Sequence, residues 1–103
     1  MSRFVKAAFT KLNIVLDSDE TASVTGFFHV LYSVYQQKGC VRLETGLEKN
    51  NYSCCYSLKK GIYYFTTYDN PTIYGVDMKR ENLDRNDLIQ YRFISSDELK
   101  FIN

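Results

Sequence analysis

The spacing of apolar residues changes once along this chain, close to Gly39, and the change limits the folds open to it. Before Gly39 the apolar residues recur at helical intervals, and after it they alternate. In "SRFVKAAF" and the residues that follow, Phe4, Ala8 and Leu12 lie one helical turn apart, flanked by Val5 and Phe9. Ser2 can cap that run, so the pattern predicts a helix over 3–14. "LDSDETAS" is a polar link, with Asp17 and Glu20 at a spacing like that of a capping box. Val24, Phe27, Phe28, Leu31, Val34 and Tyr35 then make one continuous apolar face. A second helix is expected over 20–38, closed by Gly39 as its C′ residue.

After Gly39, "CVRLETG" reads as a short strand and "LEKNN" as a loop. In "NYSCCYSL", Tyr52, Cys54, Tyr56 and Leu58 alternate with Ser53, Cys55 and Ser57, and "IYYFTTY" is rich in β-formers. "KKG" between the two runs is a tight-turn signal. "DNP" ends the second run, because Pro71 has no N–H to give a central ladder. "TIYGVDM" reads as a further strand, "KRENLDRND" as a polar connection and "LIQYRF" as a last strand. The expected order is two helices followed by an antiparallel meander, with strands from about 50 to 94. Residues 1–103 form a single segment of the α+β class, without internal repeats.

Composition narrows the function. With 103 residues there is room for one domain or a piece of one. Nine Tyr and seven Phe are many for so small an interior. Either the core is unusually aromatic, or something outside the chain covers part of that surface. A formal net charge of +1, with both signs interspersed, argues against a nucleic-acid surface. No apolar run approaches a membrane span, and Met1 opens no charged-then-apolar leader. Cys40, Cys54 and Cys55 are odd in number and two are adjacent, which favours a reducing, cytoplasmic setting over a disulfide framework.

Candidate chemistry is sparse. His29 is the single histidine, next to the apolar stripe and without a partner at ligand spacing, so a structural role fits it best. Cys54 and Cys55 point to opposite faces of a strand, as small buried hydrophobes would, and cannot share a metal. Cys40 has no base in its local sequence, which leaves little for a nucleophile. The tyrosines of "IYYFTTYDN" could stack on a ligand, but β-propensity accounts for them equally. "MKREN" fits a solvated turn. Arg3 is different: a cation at a helix start opposes the macrodipole and costs stability. It is either a solvated side chain at a frayed end or a residue kept for a task.

Four strings, "SRFVKAAF", "FFHVLYSV", "YSCCYSLKKGIYYFTTYDN" and "GVDMKRENL", stand in this order over residues 2–93. In order and spacing they resemble the choloylglycine hydrolases, the bile salt hydrolases and penicillin V acylases, and most of all the bile salt hydrolases of lactobacilli. The resemblance implies the C-terminal portion of an N-terminal-nucleophile αββα sandwich that hydrolyses a linear amide. It implies a nucleophilic N-terminal cysteine, which has no counterpart here because Ser2 aligns with the serine of the family's "SRF" motif. Of the family's active-site residues only the arginine of that motif carries over, onto Arg3. There it would favour a neighbouring thiolate and steady negative charge at the scissile amide. Cys55 aligns with a cysteine that is common in these strands and structural.

The implied function is hydrolysis of glycine- or taurine-conjugated bile acids through a thioester, with neither metal nor organic cofactor. The implied partners are the conjugated bile acid and a companion chain carrying the cysteine, with a homo-oligomer possible and no nucleic acid or membrane insertion. The chain alone is then expected to be inactive. The alternative is a catalytically inactive remnant that self-associates as a structural or binding module.

Overall fold

A computed structural model describes every residue except Met1, Asp17, Ser95, Asp97 and Glu98. Helix α1 runs Arg3–Asn13 and helix α2 runs Glu20–Tyr32. Strands β1 (Val41–Leu43) and β2 (Gly46–Glu48) form a small antiparallel hairpin. Strands β3 (Tyr52–Ser57), β4 (Ile62–Thr67) and β5 (Asn70–Asp77) form an antiparallel sheet with β4 in the middle. A single 3₁₀ turn, Met78–Arg80, follows.

Ser2 caps α1 as expected, its hydroxyl accepting from the Val5 N–H at 3.2 Å. Asp17 of the expected capping pair lies outside the described residues. The N-cap of α2 is Asp19, whose side chain makes no capping bond.

The second helix is shorter than its apolar pattern suggests. It ends at Tyr32, with Ser33 as C-cap, and Gly39 is not its C′ residue. Gly39 instead turns the chain into β1 with φ at +102°, a conformation that L side chains rarely adopt. Within "LEKNN", Leu47 and Glu48 pair with the first strand rather than forming a loop. "LIQYRF" is irregular, so the ladder ends at Asp77 and not near 94. Cys54 and Cys55 are half-buried, short of the burial expected of them.

Strand pairing places Tyr52, Cys54, Tyr56, Tyr63, Phe65, Tyr74 and Val76 on one face of the sheet. Ser53, Cys55, Tyr64 and Thr66 are on the other, which α2 covers: the Tyr64 hydroxyl donates to Glu20 Oε1 at 3.2 Å. Phe28 of α2 is the one fully buried large apolar side chain among the described residues. The opposite face carries a groove of about 660 Å³, floored by Tyr56, Tyr63, Phe65 and Val76 and flanked by Tyr91 and Phe93. Ile94 and Ser96 are tied to the sheet by side chains. Thr67 donates to the Ile94 carbonyl, and Asn70 Nδ2 donates to the Ser96 carbonyl at 2.9 Å.

Candidate active site

The site is built from the end of α2. Ser33 N–H bonds back to the His29 and Val30 carbonyls, Val34 N–H to Leu31, and Tyr35 N–H to Tyr32. These last bonds span three residues and tighten the turn. The carbonyl of Val34, beyond them, takes its bonds from another element. Arg3 of α1 forks onto it, with Nε at 3.2 Å and Nη2 at 2.9 Å.

This contact answers the objection to a cation at the head of α1. Arg3 is also a cation at the tail of α2, where the dipole is negative and a guanidinium is favoured. The gain at one helix end offsets the cost at the other. The fork fixes the guanidinium plane, which a lysine could not do with a single nitrogen.

The segment after Val34 is strapped to the sheet. Gln36 N–H donates to Asn50 Oδ1 at 2.8 Å, and Asn50 N–H returns a bond to the Gln36 carbonyl at 3.0 Å. Tyr35 stacks on Tyr68 with centroids 5.8 Å apart and planes 2° from parallel, while Lys49 Nζ lies 4.8 Å from the same ring centroid. Lys38 N–H donates to the Tyr68 hydroxyl at 2.8 Å. Burial, and then neighbouring Tyr32 and Tyr68, push the Tyr35 hydroxyl above its ordinary pKa. Gln36, Asn50 and Tyr68 carried no signal in the sequence, because each acts through a partner at least 14 residues away.

Arg3, Lys6, Val34, Gln36 and Cys40 meet around a shallow cleft of about 230 Å³. Cys40 is exposed on its wall, and the described lining includes no histidine or carboxylate. The fold brings Arg3 and Cys40 to one cleft although they are far apart in sequence. It does not bring His29, Cys54 or Cys55 there: His29 is exposed on α2 and the other two lie on β3. Chemically, the cleft offers a fixed, exposed cation able to hold an anion or steady charge developing nearby. Among the described residues, no group of three or more metal-ligating side chains converges. No described helix is long and apolar enough to cross a membrane.

Comparison with known proteins agrees with this architecture. The family model for linear amide C–N hydrolases of the choloylglycine hydrolase family matches residues 1–91. A bile salt hydrolase/transferase of Lactiplantibacillus plantarum is 46% identical over the whole chain, which spans 32% of that protein's length. One from Clostridium perfringens is 33% identical over 99% of this chain and 31% of its own length. The chain thus spans about a third of the curated relatives it matches. The crystal structure of a cysteine-to-alanine mutant of the Clostridium perfringens conjugated bile acid hydrolase superposes with a TM-score of 0.83 and 31% identity. That superposition covers 98% of this chain and 31% of the other. A penicillin V acylase from Agrobacterium tumefaciens shares the fold at a TM-score of 0.63 and 20% identity, over 76% of this chain and 25% of its own. Two helices followed by antiparallel strands match a C-terminal portion of the N-terminal-nucleophile hydrolase sandwich, and the chain belongs to the choloylglycine hydrolase family of linear amide C–N hydrolases.

Proposed function

We propose that this chain supplies the arginine-bearing C-terminal portion of an enzyme that hydrolyses glycine- or taurine-conjugated bile acids. A thiol carried on a companion polypeptide attacks the amide carbonyl. The amine leaves with a proton, a thioester forms between thiol and bile acid, and water then releases the free acid. Arg3 stands beside the thiol, favours its thiolate form and steadies the oxyanion. The chain alone is inactive, and a reducing, cytoplasmic setting suits its three free thiols. The observation that carries this reading is the 46% identity with a bile salt hydrolase/transferase along the whole chain. The forked seat of Arg3 adds to it.

The test mixes this chain with a separately expressed polypeptide comprising the remaining two-thirds of the Lactiplantibacillus plantarum relative. Release of glycine and taurine from glycocholate and taurocholate is followed, with penicillin V as a third substrate. The expected result is turnover in the mixture, none by the chain alone, and a loss of about a hundredfold or more with Arg3→Ala. Turnover by the chain alone, or none in a mixture that has formed a folded complex, overturns the proposal.

The second reading is a self-associating module without catalysis. It draws on the aromatic groove, where Tyr52 is 56% and Tyr56 49% exposed. A stable homo-oligomer that excludes the companion polypeptide would favour it.

A further inference from the structure

The carbonyl that seats Arg3 belongs to a weakly held peptide. Val34 C=O and Tyr35 N–H are the two ends of one peptide unit. The N–H end reaches back to the Tyr32 carbonyl at 3.2 Å, a bond that spans three residues. The bond before it, Val34 N–H to the Leu31 carbonyl, is of the same kind at 3.1 Å. Such bonds are poorer than α-helical ones, and a helix end held by them alone frays. The C=O end carries the fork from Arg3 at 3.2 and 2.9 Å, so fraying here turns the acceptor away from the guanidinium.

The peptides that follow are pinned, and one residue pins both. Gln36 N–H donates to Asn50 Oδ1 at 2.8 Å, and the Gln36 carbonyl accepts from Asn50 N–H at 3.0 Å. Asn50 thus holds the peptide units on either side of Gln36, the first of which directly follows the unit that seats Arg3. Asn50 is itself fixed. It stands two residues ahead of β3, beside Asn51, whose carbonyl takes Tyr68 N–H at 3.1 Å and extends the pairing with β4. Tyr68 adds to the hold, stacking on Tyr35 and accepting from Lys38 N–H at 2.8 Å. Gln36 Oε1 takes no share: it is buried with no hydrogen-bond partner among the described residues. Val34 and Gln36 line the cleft with Arg3, whereas Asn50 and Tyr68 stand outside that lining.

We infer that Asn50 is a positioning residue for Arg3, acting through Gln36 and the Val34 carbonyl to fix where the guanidinium points. This rests on the function proposed above, and it names what holds the arginine on target. The choice of asparagine follows from the bonding. The residue must present an acceptor beside its own N–H, so that two bonds run in opposite directions to one partner. Asparagine and aspartate do so, and alanine offers the N–H alone. Removing the acceptor frees one peptide, leaves the ladder of β3 and β4 intact, and lets Arg3 swing with its charge unchanged.

The test reads Arg3 twice. In the chain alone, the Nε–H proton of Arg3, followed by NMR, is expected to exchange about tenfold more slowly than that of a free arginine side chain. Asn50→Ala should remove that protection, and Asn50→Asp should restore most of it. In the mixture with the remaining two-thirds of the Lactiplantibacillus plantarum relative, Asn50→Ala should lower kcat for glycocholate about tenfold and leave KM within about twofold. Asn50→Asp should recover most of the rate. In an Arg3→Ala background the alanine at 50 has nothing left to misplace, and kcat should fall no further. Unchanged Arg3 exchange in folded Asn50→Ala, or losses that multiply with Arg3→Ala, overturn the inference. Tyr68→Phe keeps the ring and frees Lys38 N–H, and should weaken the protection in the same sense. Should Asn50→Ala not fold, an unchanged Arg3 signal in Tyr68→Phe overturns the inference instead. The two readouts separate the claims. Hydrolysis that ignores Asn50 sinks the positioning role and spares the proposed function. Protection that depends on Asn50, in a folded mixture without hydrolysis, does the reverse.

Discussion

The guanidinium of Arg3 and the carbonyl of Val34 join the first turn of one helix to the end of the next, through bonds of 3.2 and 2.9 Å from Nε and Nη2. They are 31 residues apart in sequence. This side chain therefore ties α1 to the end of α2, and the same contact holds the cation still at the mouth of the cleft.

Arg3→Lys keeps the charge and loses the fork. The expected cost is about 1 kcal/mol in urea denaturation of the chain, because the pair is exposed and water replaces part of the bond. In the reconstituted enzyme the same variant should lower kcat by about tenfold or more, since a free ammonium is not fixed toward the thiolate. A lysine variant with full turnover would show that charge alone matters and that the fork is structural.

A tyrosine on the groove ties stability to alkaline pH. The Tyr63 hydroxyl is pushed up to about 12, chiefly by its hydrogen bond with Cys54 and then by burial. A raised value means that the fold favours the protonated phenol. Its stabilisation is complete below the ordinary value of 10.0 and is lost as pH rises toward about 12. Tyr63→Phe should flatten the fall in denaturation midpoint across that window. Some slope should survive, because Tyr35 and Tyr64 are raised as well. An unchanged slope would remove Tyr63 from the alkaline transition.

The sequence pattern located α1, β3, β4 and the turn between those strands, because each rests on neighbours in the chain: Ser2 caps its own helix, and Gly61 turns with φ at +67°. It placed the end of α2 six residues late, at 38 rather than Tyr32. The apolar residues Val34 and Tyr35 continue the helical pattern, but their bonding goes elsewhere. Val34 serves Arg3 and Tyr35 stacks on Tyr68, and both contacts come from distant parts of the chain. The same holds at "LIQYRF". Its composition suits a strand, yet the residues just after it are held by Thr67 and Asn70 side chains instead of a ladder. Arg3 stood out because its local placement is costly. What offsets the cost, the tail of α2, is visible only once the chain has folded.

Asn70 is the anchor of that tie. It is 2% exposed, with Nδ2 donating to the Tyr74 hydroxyl at 3.0 Å and to the Ser96 carbonyl at 2.9 Å. Its Oδ1 accepts from Thr72 N–H at 3.1 Å. Asn70→Ala should cost about 2–3 kcal/mol, because buried groups lose their partners. Asn70→Asp keeps the Thr72 acceptor and buries a charge without either donor bond, so it should be no better at neutral pH. Urea midpoints for both variants decide it, and wild-type stability in either would deny Asn70 its anchoring role.

Leu16, in the link ahead of α2, packs closely over Gly26 of that helix. A Cβ at Gly26 would lie 1.9 Å from Leu16 Cδ2. Alanine is the better helix former by about 1 kcal/mol, yet here its methyl group must displace a leucine. The clash falls on the tip of a flexible side chain that is 47% exposed, so Leu16 can swing aside, but only by giving up the contact that holds the link between the helices against α2. Gly26→Ala should therefore lose stability in the wild-type background. In a Leu16→Ala background, where the space is free, the same change should gain about 1 kcal/mol. The double-mutant cycle isolates the pair, and urea denaturation of the four proteins measures it. A gain of equal size in both backgrounds would mean that Leu16 does not bear on Gly26.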